Sequence, residues 1–357
     1  MKFEFSKLSL TLFSALLLGC GGTDDARVEG GSSTQLAADS DLSQATVSAS
    51  LTESLDSLSD TNLVVSSGTS LALSGAALEN TATVDKTCAV AGDTAVVTIN
   101  RDRTNTWELT TKRMTISSSL VASQDIVRTW SKEGTAIACS GKSAAIDFEG
   151  DLTGYKLDVT VDRTAERSFE RTLIKTQEAV KSSSKNVSKG TRSVEWLSQT
   201  ANADGTFTRS KSIAFSVAHS IAIVNAKKEA KAIDLKVETK ADAPLKVAVT
   251  WDKLSEGRAL QSKLIKSGTI VASKDGAGSM EATFSNILLT FTADACALTS
   301  GSMTAKVYAE GKTEVSKAYA LTAVDGDVTV EDVTDAANPV AVDDFEYSPC
   351  DLKDFQQ

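Results

Sequence analysis

Between about residue 86 and residue 322, apolar and polar positions alternate, as they do in strands that bury one face. The clearest run places Ile213, Phe215, Val217, His219, Ile221 and Ile223 on one side and Ala214, Ser216, Ala218, Ser220 and Ala222 on the other. Further strands are expected around Val97-Ile99, Met114-Ile116, Leu157-Val159-Val161, Ile233-Leu235-Val237, Leu245-Val247-Val249-Trp251 and Val315-Lys317-Tyr319-Leu321. Asp204-Gly205 and Asp275-Gly276 sit between such runs, where hairpins turn. The chain has three prolines, Pro244, Pro339 and Pro349, so little interrupts strand pairing through the middle. Short links favour antiparallel neighbours, and helix-length amphipathic segments do not alternate with the strands. The pattern predicts an all-β fold: a large antiparallel meander forming a twisted sheet, a sandwich or a closed barrel. Residues 164–180 also fit a helix with i,i+4 charge pairs, but strands on both sides favour a strand or strand pair there.

The N-terminal region has a different pattern. Leu8 to Leu18 is almost wholly apolar, follows Lys2 and Lys7, and ends at Leu17-Leu18-Gly19-Cys20. This run is about half the roughly 20 residues needed to span a bilayer. Residues 21–40 are rich in Gly, Ser and Asp, without apolar period, and read as a flexible tether. Leu51, Leu55 and Leu58 then outline a short amphipathic helix within residues 41–59.

Leu17-Leu18-Gly19-Cys20 resembles the lipobox of bacterial lipoproteins. The resemblance covers about twenty residues. It implies cleavage before Cys20, lipidation of Cys20 including an N-acyl chain such as palmitate, and membrane attachment without a spanning helix. Gly21 after the cysteine implies sorting to an outer membrane. The expected organisation is a signal peptide over 1–19, a lipidated tether over 20–60, a β domain over 61–322 and an acidic segment over 323–357 tied back by Cys350.

Charge separates the ends from the middle. Residues 20–85 hold ten acids against Arg27 alone, and residues 320–357 hold ten against Lys353 alone; residues 100–260 hold 26 Lys and Arg against 20 acids. The formal charge of the chain is −10, which argues against nucleic acid as a partner. An exported chain with four cysteines beyond Cys20 is expected to form disulfides. Sequence proximity favours Cys88–Cys139 and Cys296–Cys350.

Candidate chemistry is sparse. His219 is the only histidine and lies in an apolar run, where it reads as a sheet residue rather than a catalytic base. Asp147, Glu149 and Asp151 alternate as if on one strand face, and a carboxylate pair among them is the only hydrolase candidate. Asp325, Asp327, Glu331, Asp332 and Asp335 carry oxygen ligands suited to calcium but not the spacing of an EF-hand loop, and read as a solvated loop. The series Arg163, Arg167, Arg171, Lys175, Lys181, Lys185, Lys189 and Arg192 offers a surface for acidic glycans or phosphates, or a plain charged face. With no nucleophile elbow, phosphate loop or metal motif, no cofactor is expected. The sequence points to an envelope lipoprotein held on the membrane by its N-terminal lipid, with a non-enzymatic binding or scaffolding role toward an envelope or surface ligand. A glycan hydrolase using Asp147 and Glu149, or a lipid carrier with an apolar interior, are the competing classes.

Overall fold

The computed structural model describes residues 77–342 except 142, 147–149, 178, 225–229, 253–259 and 293–295. The signal segment, Cys20, the tether, the helix expected within 41–59, the Asp147 and Glu149 pair, and the Cys296–Cys350 disulfide all fall on residues or side chains outside that description.

All described elements are strands. In chain order they are β1 (Ala77–Ala91), β2 (Thr94–Thr110), β3 (Met114–Ser131), the short β4 (Cys139–Ser140) and β5 (Ser143–Ala144), β6 (Lys156–Leu173), β7 (Ala179–Ala201), β8 (Phe207–Val224), β9 (Ala230–Thr239) and β10 (Leu245–Trp251). β11 (Leu260–Lys274), β12 (Gly278–Phe291), β13 (Cys296–Tyr308), β14 (Val315–Val324), β15 (Asp327–Asp332) and β16 (Val340–Ala341) follow. All but β4 and β5 form one 14-stranded antiparallel sheet in which chain neighbours are sheet neighbours. β9 and β10 together occupy the place of one strand between β8 and β11. Between them the chain steps out over Lys240–Ala243, anchored by Lys240 N–H to Thr269 O (2.9 Å) and Thr269 N–H to Ala243 O (2.9 Å).

Residues 164–180 divide between β6, a turn and the start of β7, as a strand pair. Both Asp-Gly pairs sit in hairpin turns. The sheet also runs past residue 322, into the acidic segment. β15 pairs with β14 from Val324↔Asp327 to Tyr319↔Asp332, because Val328 and Val330 keep an apolar alternation among the acids.

One sheet face carries the core. Its buried apolar side chains form a single cluster from Ala95 in β2 to Val330 in β15. No helix among the described residues covers this face. The 132–155 connection closes the end where β2 begins. It buries Ile137 and Leu152, and it is joined to β1 by the Cys88–Cys139 disulfide. It is held at β7 by Gly154 N–H to Trp196 O (2.8 Å) and Trp196 N–H to Tyr155 O (3.0 Å). At β8 the Arg209 guanidinium donates to Gly150 O (3.2 Å).

Candidate functional site

Register carries the core face outward into a polar zone. The pairings Ile99↔Ile126, Ile126↔Val161, Val161↔Gly190 and Gly190↔Val217 form an apolar row across five strands. Two residues further along each strand, the same face presents Arg101, Gln124, Arg163, Ser188 and His219, again mutually paired across the same strands. The next row is Arg103, Ala122, Ala165, Asn186 and Ile221, and the one after is Asn105, Leu120, Arg167, Ser184 and Ile223. No register shift interrupts the pairing of β2, β3 and β6, or of β6 with β7, so the alternation holds to the hairpin ends.

Charge is segregated by face. Every arginine in these strands lies on the core face: Arg101 and Arg103 in β2, Arg128 in β3, Arg163, Arg167 and Arg171 in β6, and Arg192 in β7. Asp102, Glu108, Asp125, Asp158, Asp162, Glu166, Glu170 and Glu195 all point the other way. Lys181, Lys185 and Lys189 share that opposite face and pair there with Glu170 (2.9 Å), Glu166 (2.6 Å) and Asp162 (2.9 Å). The core face of β2, β3, β6 and β7 thus has seven guanidinium groups and no carboxylate of its own.

The belt lies at the edge of the low-dielectric interior. Arg101 is half-buried, and desolvation lowers its pKa from the ordinary guanidinium value. His219 is 4% exposed. The amide oxygens of Asn105 and Asn186 are buried and accept no hydrogen bond from the described residues. Arginines in such surroundings favour an anion strongly, since the attraction is weakly screened and the planar fork meets carboxylate or phosphate through two parallel bonds. The two unmatched amide oxygens would accept hydrogen bonds from hydroxyl or amine groups of the same ligand.

The basic series expected from sequence is therefore divided. Its arginines face the core side, its β7 lysines are neutralised on the other, and Lys175 lies in the β6–β7 turn. Asp151 departs from the expected strand face: it precedes β6 in a turn, accepting from the Thr153 hydroxyl (2.6 Å) and N–H (2.9 Å), which hold its carboxyl below the usual range. The five C-terminal acids are spread along a hairpin. Asp325 and Asp327 flank the β14–β15 turn, whereas Asp332 and Asp335 at the other end accept from Thr334 and from Ala337 and Asn338. Among the described residues no three His, Cys, Asp or Glu side chains converge to hold a metal ion. Across the β2, β3, β6 and β7 hairpins runs a groove of about 700 Å³, lined in part by Ser117, Ser119, Ser168 and Ser183 with the Glu170–Lys181 pair at its side.

No family model matches the chain, and no curated protein or solved structure does either.

Proposed function

We propose that this is an envelope lipoprotein, attached to the membrane through lipidated Cys20, whose arginine-bearing sheet face binds an anionic amphiphile without transforming it. The observation that carries the reading is the segregation of seven arginines from every carboxylate of β2, β3, β6 and β7. Solubility alone does not call for it, because interspersed charges of both signs would serve as well. Apolar neighbours on the same face, Ile99, Val161 and Val237 on one side of the Arg101–His219 row and Ile221 and Ile223 on the other, supply contacts for a hydrocarbon portion. A binding role also fits the spread of the polar groups over several strands.

Equilibrium dialysis of the full chain against dodecyl phosphate and dodecyl maltoside, both below micelle formation, tests the reading. The phosphate is expected to bind at least about tenfold more tightly, with most of that preference lost in Arg101→Gln and Arg163→Gln. Equal affinity for the two amphiphiles, or full retention of preference in both folded variants, would remove the site.

A further inference from the structure

The β2–β3 and β6–β7 hairpins project beyond the end of β8, with β1 running beside β2 as far as Ala77↔Glu108. Pairing of β7 with β8 stops at Ser183↔Val224, whereas β2, β3, β6 and β7 continue to Thr110↔Thr115, Met114↔Leu173 and Thr172↔Ala179. On this overhang the core face has lost its apolar cover but not its apolar residues. Trp107, Leu109, Ile116 and Leu173 are partly exposed, Phe169 is 40% exposed and Val180 is 37% exposed. Arg171 stands among them, Arg167 borders them in a row that still reaches β8, and the two turns add Lys112, Arg113, Lys175 and an exposed Ile174. The nearby Glu166 and Glu170 point to the opposite face and are engaged by Lys185 and Lys181.

We propose that this overhang docks on an anionic phospholipid surface. Apolar side chains around an indole, with guanidinium and ammonium groups toward the tips and no carboxylate among the described residues of the same face, suit a bilayer interface, where hydrocarbon lies beneath phosphate. A protein groove would also take the apolar residues, but five cations concentrated at two turn tips and the strand ends beside them complement a continuous sheet of negative charge. The inference does not rest on lipidation of Cys20; it shares Arg167 and Arg171 with the arginine face proposed above, and the Arg101→Gln variant separates the two readings.

The test uses the full chain carrying Cys20→Ser, so that no acyl anchor contributes, sedimented with vesicles of phosphatidylcholine alone or mixed with phosphatidylglycerol. Partition is expected to be at least about tenfold stronger on the mixed vesicles and to fall with added salt. Brominated acyl chains are expected to quench the fluorescence of Trp107, so that Trp107→Phe removes most of the quenching. Arg171→Gln combined with Lys175→Gln is expected to abolish the preference, while Arg101→Gln leaves it intact; unchanged unfolding midpoints show that the variants are folded. Equal partition on both vesicles, no partition on either, or quenching that persists in Trp107→Phe would overturn the proposal.

Discussion

Trp130 of β3 and Trp196 of β7 stack with ring centroids 5.4 Å apart and planes at 18°, although β6 lies between their strands. Both are buried, at 6% and 4% exposure, and the backbone of Trp196 also binds the 132–155 connection through Gly154 and Tyr155. The pair thus fastens the connection to the core it covers. Trp196→Ala is expected to cost about 3–5 kcal/mol, measured by urea unfolding, because it leaves a large cavity and removes an aromatic contact. A loss under about 1 kcal/mol would mean that the stack does not organise this end of the core.

The Cys88–Cys139 disulfide joins residues 51 apart in sequence. In the chain-entropy model, closing such a loop restricts the unfolded chain by about 4 kcal/mol. Cys88→Ala with Cys139→Ala is expected to lower the unfolding free energy by an amount of that order, and to increase proteolysis within 132–155 before the sheet is cut. Non-reducing peptide mapping of the wild-type protein is expected to recover a second linked pair, Cys296 with Cys350. Free thiols at those two positions would refute that pairing.

Asp332 accepts from the Thr334 hydroxyl (2.6 Å) and N–H (3.0 Å) and from the Lys317 ammonium (3.3 Å). The Thr334 bonds first, then Lys317, hold its carboxyl below the usual range, while Asp332 holds the Lys317 ammonium above its own. A depressed carboxylate contributes stability that is present above about pH 4 and lost as pH falls through its folded value; a raised ammonium contributes stability that is present below about pH 10 and lost as pH rises through its folded value. Stability from this pair is therefore expected to be flat between those limits. Asp332→Asn should flatten the acid limb of a plot of urea midpoint against pH, by under about 1 kcal/mol for a pair this exposed. An unchanged acid limb would exclude the pair as a contributor.

Cys20→Ala is expected to abolish incorporation of metabolically supplied palmitate and to move the protein from the membrane fraction to the soluble fraction, or leave it unprocessed with its signal segment. Palmitate persisting on the variant would show that Cys20 is not the acylated residue. Protease digestion of intact and permeabilised cells, followed through a C-terminal tag after Gln357, distinguishes a surface-facing sheet from a periplasmic one.

Strand positions were largely legible in the sequence because one face of each strand is apolar: the residues from Ile213 to Ile223 alternate in burial as they do in polarity, with His219 at a core position. Both Asp-Gly turns were legible for the same local reason. The arginine face was not. Read along the chain, Arg163, Arg167 and Arg171 merge with Lys181, Lys185 and Lys189 into one basic series, since all have odd numbers. In the β6–β7 pairing, odd residues of β6 oppose even residues of β7, as in Arg163↔Ser188, so the two sets fall on opposite faces. The visible clue was that Asp162, Glu166 and Glu170 precede the three arginines by one residue each, at intervals that match the lysines. Extension of the sheet into β15 was masked by acids, which dominate the composition there while only Val328 and Val330 mark the inner side.

In a chain exported as proposed, pairing each strand of the sheet with one that precedes it in the chain has a consequence for assembly. A polypeptide that crosses a membrane unfolded, N-terminus first, delivers β1, then β2, then β3, and each arrival finds its hydrogen-bonding partner already on the far side. No strand waits for a distant partner still inside the cell, as in a Greek key. The connection that brings Cys139 to Cys88 emerges before β6, so oxidation can secure the first three strands while the rest are still in transit. Throughout synthesis the growing sheet exposes one fresh edge, and the next segment to appear is the one that covers it.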